Sequence, residues 1–160
     1  MPVAKASAGP GARLRELGLE LPAAPHPLGH YVEASQAGSL LFISGTLPLA
    51  EGKLAFTGRL GDDLTVEQGR EATRLAAMNA LAAALEHVGD FDRIVKLAKL
   101  NIYLAATPSF MDHAAVADGA SDLFAQIFGR EQGHARMVSG VASLPKGTPV
   151  VVETIFETTR

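Results

Sequence analysis

A chain of 160 residues, 48% hydrophobic and 19% charged, is sized for one globular domain with a core of its own. It has no cysteine, which excludes disulfide frameworks, thiolate metal sites and cysteine nucleophiles. Fourteen basic against 17 acidic residues leave a net charge of −3, which argues against a general nucleic-acid-coating protein and its basic face. No apolar run approaches the ~18 residues that span a bilayer, and the first residues lack the apolar stretch of a secretory signal. The expectation is a cytoplasmic enzyme or binding protein with no membrane partner.

Residues 1–12 are rich in Ala, Gly, Pro and Ser and read as frayed. Ala12–Leu19 suits a short helix weakened by Gly18, and Pro22, Pro25 and Pro27 then break regular structure. His30–Ser35 and Ser39–Leu47 read as a hairpin about Gln36-Ala37-Gly38, with Lys53–Phe56 as a short third strand. Thr65 and Gln68 have the spacing of a capping box, and the alanine-rich stretch to Val88 aligns Ala72, Leu75, Ala76, Ala80, Ala83 and Leu85. Gly89 ends that helix.

Arg93–Ala105 alternates as a strand, with Ala98, Leu100, Ile102 and Leu104 opposite Lys99, Asn101 and Tyr103. Thr107-Pro108 has the pattern of a helix start, and the helix carrying Phe110, Ala114, Ala117, Leu123, Phe124, Ile127 and Phe128 stops at Gly129. Ala135–Leu144 and Pro149–Thr158 read as two strands joined in a hairpin through Pro145-Lys146-Gly147. The order β-β-(β)-α-β-α-β-β predicts one α/β (α+β) domain, a sheet with two helices packed on one face. Leu40–Ile43 and Val150–Val152 are apolar on consecutive positions, hence on both faces of that sheet. A second apolar face with no helix to cover it predicts self-association.

Several motifs fail on context. There is no G-x-G-x-x-G or P-loop, Gly58-Arg59-Leu60-Gly61 reads as a turn, and Pro145 denies Ser143 and Lys146 the helical turn of an S-x-x-K site. His26, His30, His87, His113 and His134 have no metal-ligand spacing. His87 suits a helix C-terminus, His113 a surface pair with Asp112, and His134 a solvated loop. Two charges remain where strands should be apolar: Glu153, between Val151 and Ile155, and Arg136, at the start of what reads as the adjacent strand. Either they form a structural ion pair, or they line a cavity in which arginine binds an anion and glutamate orients a water.

Gly29-His30-Tyr31-Val32, Phe42-Ile43-Ser44-Gly45-Thr46-Leu47-Pro48, His134-Ala135-Arg136, Leu144-Pro145-Lys146-Gly147 and Val150-Val151-Val152-Glu153 occur together and in order. In these pieces the chain resembles the RidA/YjgF family, also known as endoribonuclease L-PSP, over residues 29–160, with residues 1–28 as an N-terminal, partly flexible extension. The resemblance implies a chorismate mutase-like fold, with two helices on one face of a mixed sheet. It also implies a homotrimer with ligand clefts between subunits and no metal or cofactor. It implies hydrolysis of reactive 2-imino acids or enamines to 2-oxo acids and ammonia. Arg136 then matches the arginine that clamps the carboxylate of a small metabolite, and Glu153 the glutamate that positions water. Tyr31, Ser44 and Gly45 match pocket residues; Val138 stands where the family often has cysteine, so only its backbone could serve the ligand. A non-catalytic, carboxylate-binding trimer with a sensing role is the alternative. An RNA-cleaving role lacks an aromatic and basic strip.

Overall fold

The computed structural model describes residues 8–160. Five strands form one sheet in the order β1-β2-β7-β5-β6: β1 (Ala34–Ala37), β2 (Leu40–Thr46), β5 (Ile94–Ala105), β6 (Ala135–Val141) and β7 (Val150–Thr158). The short pair β3 (Leu49–Ala50) and β4 (Lys53–Leu54) is a separate ribbon, in place of the single third strand expected there. Only β5 and β6 are parallel among these pairings. This is a mixed sheet, and helices α2 (Val66–Val88) and α3 (His113–Phe128) cover one side of it.

The long helix forms where local chemistry dictates. The Thr65 hydroxyl accepts from the Gln68 backbone N–H while the Gln68 side chain accepts from the Thr65 N–H, and Gly89 takes the left-handed conformation that ends the helix. Its alanines let α3 and the sheet come close. A Cβ added to Gly119 of α3 would run into the Arg70 carbonyl and the Thr73 hydroxyl, and Thr73 in turn donates to the Val116 carbonyl at 2.9 Å. The core lies between this helix layer and Leu41, Ile43, Leu100, Ile102, Leu104, Val152 and Phe156 of the sheet.

The N-terminal segment is built into this layer. Helix α1 (Pro10–Glu16) packs on α3, Gly11 N–H donates to Asp92 at 2.8 Å, and Leu14, Leu19 and Leu21 rest on the core. The expected short helix is thus present as α1, packed on α3 beside the two helices that cover the sheet. Residues 8–12 of the stretch read as frayed are placed in or beside α1, whereas its first seven residues lie outside the described ones.

Three readings need correcting. The last two strands are not a hairpin: among the described residues β6 pairs only with β5, and β7 runs between β2 and β5. β5, α3 and β6 form a strand–helix–strand unit, which makes its two strands parallel neighbours. The second helix begins at His113, not at Thr107-Pro108. Thr107 N–H is taken by the Leu60 carbonyl and Phe110 N–H returns to Thr107, closing a turn before the helix starts. The first strand also starts later than its alternation suggests, at Ala34.

Facing away from the helices are Leu40 and Phe42 of β2, Met137 of β6, and the half-buried Val151 and Ile155 of β7. Leu40, Phe42 and Met137 are 39%, 40% and 60% exposed in the single chain. The expected second apolar face is present. Among the described residues no helix is long and apolar enough to cross a membrane.

Candidate functional site

Register decides which of the candidate residues meet. Ile43 pairs with Thr154 and Thr46 with Val152, so Ser44 and Gly45 together oppose the single residue Glu153. This is a β-bulge, which kinks the strand and re-aims the residues it carries. A Cβ on Gly45 would lie 2.7 Å from Val151 Cγ1, so only glycine fits the bulge against β7. Glu153 projects onto the open face, half-buried, and accepts a hydrogen bond from Asn101 Nδ2 at 3.3 Å. Tyr31, Ser44, Gly45 and Glu153 line one hollow of about 560 Å3, together with Phe42 and Ile155. Four of the six candidates are thus brought together.

The polar atoms there have assigned directions. Ser44 Oγ donates to the Val32 carbonyl at 2.6 Å and Tyr31 Oη accepts from Leu28 N–H at 3.0 Å. The serine proton is committed to a carbonyl, which leaves Ser44 as an acceptor. The tyrosine proton has no acceptor among the described residues.

Arg136 and Val138 are elsewhere. Their register partners Leu100 and Ile102 face the helices, so both side chains leave the opposite side of the sheet from Glu153, with β5 between. Val138 packs against the core, and the structural Arg136–Glu153 pair does not exist. Arg136 instead meets α3: Nη1 donates to Asp118 Oδ1 at 2.6 Å and to Ser121 Oγ at 3.2 Å. Among the described residues its Nε and Nη2 have no partner. β6 is an outer strand, so half of its backbone groups also point away from the sheet.

His134 and His113 differ from their expected settings, whereas His87 lies in the last turn of α2 as expected. His134 is half-buried, with Nε2 2.9 Å from Ser121 Oγ and its ring edge-on to Phe124. His113 lies against the ring of Phe110 and closely over Gly140, and His87 Nε2 meets Gln36 Oε1 at 3.1 Å near the end of α2. Burial, and next the Arg136 charge, pull the His134 pKa below its ordinary value. The unfolded chain therefore takes up this proton first as pH falls, so the stabilisation present above about pH 6.5 is lost below it. Urea melts of the parent and His134→Gln should differ more at pH 7.5 than at pH 5.5; a constant difference would count against a neutral His134 in the fold.

Among the described residues no group of three or more His, Cys, Asp or Glu is arranged to hold a metal. A second hollow, of about 460 Å3, lies beside Tyr31 and Val32 and is lined by His26, Glu33, Glu86 and His87. Burial chiefly raises the Glu33 pKa; His26 opposes the shift and Glu86 adds to it.

This geometry has relatives. A family model described as "YjgF/chorismate_mutase-like, putative endoribonuclease" matches residues 11–157. The chain belongs to the YjgF/chorismate mutase-like family. The match begins inside α1, which agrees with that helix being packed on the fold. The chain is 41% identical over 153 residues to Protein TCP17 of Trypanosoma cruzi, covering 95% of this chain and 96% of that one. It is 28% identical to 2-iminobutanoate/2-iminopropanoate deaminase of Dermatophagoides farinae, over 86% of this chain and 92% of that protein. A crystal structure described as a "putative endoribonuclease" from Shewanella oneidensis superposes with a TM-score of 0.89 at 38% identity, covering 94% and 99% of the two chains.

Proposed function

We propose that this protein is a cytoplasmic, cofactor-independent deaminase that hydrolyses 2-imino acids and their enamine tautomers to 2-oxo acids and ammonia. It acts as a homotrimer whose clefts join the Arg136 edge of one protomer to the Tyr31–Ser44–Gly45–Glu153 hollow of the next. The observation that carries this reading is the guanidinium itself, held at a sheet edge with its Nε–Nη2 side unpartnered. Such a fork matches the two oxygens of a carboxylate. The apolar open face, uncovered in a single chain, supports the trimer. The relative named as a deaminase supports the reaction.

In that cleft Arg136 fixes the substrate carboxylate. Water adds to the imine carbon while Glu153 accepts its proton. Glu153 hands that proton to the imine nitrogen to give the carbinolamine, then takes the carbinolamine hydroxyl proton as the C=O bond forms and the C–N bond breaks, and delivers it to the nitrogen, which leaves as ammonia. Tyr31, with its hydroxyl proton free, donates to the substrate. The test generates imino acids with an amino-acid oxidase and follows their disappearance, with EDTA present and absent. Accelerated loss, unchanged by EDTA, is expected. No acceleration with any of several parent amino acids would overturn the enzyme reading and, if 2-oxobutanoate still binds, leave a carboxylate-binding trimer.

A further inference from the structure

We propose that Asp118 is a positioning residue for this site: it takes the Nη1 end of Arg136 and so presents the Nε–Nη2 edge to the substrate carboxylate. The inference deepens the reading above and rests on Arg136 being the carboxylate ligand. Asp118 and Ser121 stand one turn apart on α3, an i, i+3 pair on one helix face, and both reach the outer strand β6. Both of their contacts use the same nitrogen.

A guanidinium is planar and offers its donors in fixed directions. With Nη1 committed, the Nε–H and one Nη2–H remain as a parallel pair, the spacing that two carboxylate oxygens accept. Without Asp118 the long side chain would sample several rotamers and either end of the guanidinium would face the cleft. Ser121 reinforces the arrangement. Its oxygen accepts from Nη1 and also lies within hydrogen-bond distance of His134 Nε2, at 2.9 Å, so the hydroxyl is held between the two. His134, just before β6, and Arg136, its second residue, meet at the same Ser121 hydroxyl.

The same pair could serve only to join α3 to β6, or Asp118 could compete with substrate for the guanidinium. The three roles predict different results. The side chains of Arg136 and Asp118 are 24% and 47% exposed, so an ion pair here contributes little to folding. A positioning role costs binding without costing stability.

The experiment measures kcat and KM for an imino acid, the calorimetric Kd for 2-oxobutanoate, and thermal melts of Asp118→Asn, Asp118→Ala and Asp118→Glu in the full chain. Expected are about tenfold rises in KM and Kd for Asn and Ala, with kcat nearly unchanged, melting unaltered, and partial recovery in Glu. Adding Asp118→Ala to Arg136→Ala should then have no further effect on Kd. Tighter binding by Asp118→Asn would mean that the carboxylate competes with ligand, and would overturn the proposal. So would an unchanged Kd while Arg136→Lys weakens binding, or an additive double variant. If neither residue affects Kd, or the parent does not bind 2-oxobutanoate, the clamp itself fails and the positioning role goes with it.

Discussion

Arg136→Lys should weaken binding of a 2-oxo acid about ten- to hundredfold and leave the fold intact. Lysine keeps the positive charge and can still reach Asp118, but it is a point charge and offers no parallel pair of donors. A hydrogen bond to a charged group is worth about 1.5–3 kcal/mol, and every 1.4 kcal/mol is tenfold in affinity. The fold should not respond, because the ion pair of Arg136 with Asp118 is partly exposed and the core layer beneath it is apolar. Titration of 2-oxobutanoate into parent and variant by calorimetry, with thermal melts of both, checks the two halves of the expectation. A variant that binds as tightly as the parent removes the clamp. One that melts well below the parent assigns Arg136 to structure.

What could be read from the sequence was what is local. The capping box at Thr65 and the stop at Gly89 need only residues within one turn, and both are present. Alternation in Arg93–Ala105 separated Asn101 from the apolar face of its strand, and the register, which the sequence does not show, puts Glu153 beside it on the side away from the core. Strand order is not local. Nearness along the chain suggested that β6 and β7 pair, whereas β7 is inserted between β2 and β5. The signal that points to the right answer was present: a strand, a helix and a strand in succession makes β5 and β6 parallel neighbours. Once that is used, the register puts Arg136 and Glu153 on opposite faces and the single-chain ion pair disappears.

The partners of Arg136 were hidden for a different reason. Asp118 and Ser121 look like ordinary polar residues on a helix, and nothing in their spacing distinguishes them from a solvated face. The alternation His134-Ala135-Arg136 does put histidine and arginine on one side of a strand, which is the clue that a polar network runs there. The bulge at Ser44-Gly45 left a fainter trace. A glycine inside an apolar strand marks either a bulge or a close approach of a neighbour, and here it is both.

The placement of the two halves leads to the sharpest expectation. If each cleft takes Arg136 from one protomer and Glu153 from the next, Arg136→Ala and Glu153→Gln should each be nearly inactive alone yet restore activity when assembled together. Each variant supplies the half that the other lacks. In randomly mixed trimers, about a quarter of the clefts receive an intact arginine from one chain type and an intact glutamate from the other, because each choice has even odds under a head-to-tail, three-fold arrangement. The mixed sample should therefore recover about one quarter of parent turnover, at a KM close to that of the parent. The measurement is co-refolding of the two variants from urea at equal concentration, followed by the oxidase-coupled imine assay. Each variant refolded alone, and the two mixed without unfolding, serve as controls. Recovery is possible only if the site is shared, because within one chain the sheet itself separates the guanidinium from the Glu153 carboxylate. Failure to recover activity, with mixed trimers demonstrated by tagged-subunit capture, would show that one protomer supplies both groups or that Glu153 takes no part. Adding Phe42→Asp to the parent probes the same assembly from its apolar face. A buried, unpaired carboxylate costs several kcal/mol, so the trimer should dissociate and turnover should be lost with it. A Phe42→Asp protein that remains trimeric on light scattering would place the subunit interface away from the open face of the sheet.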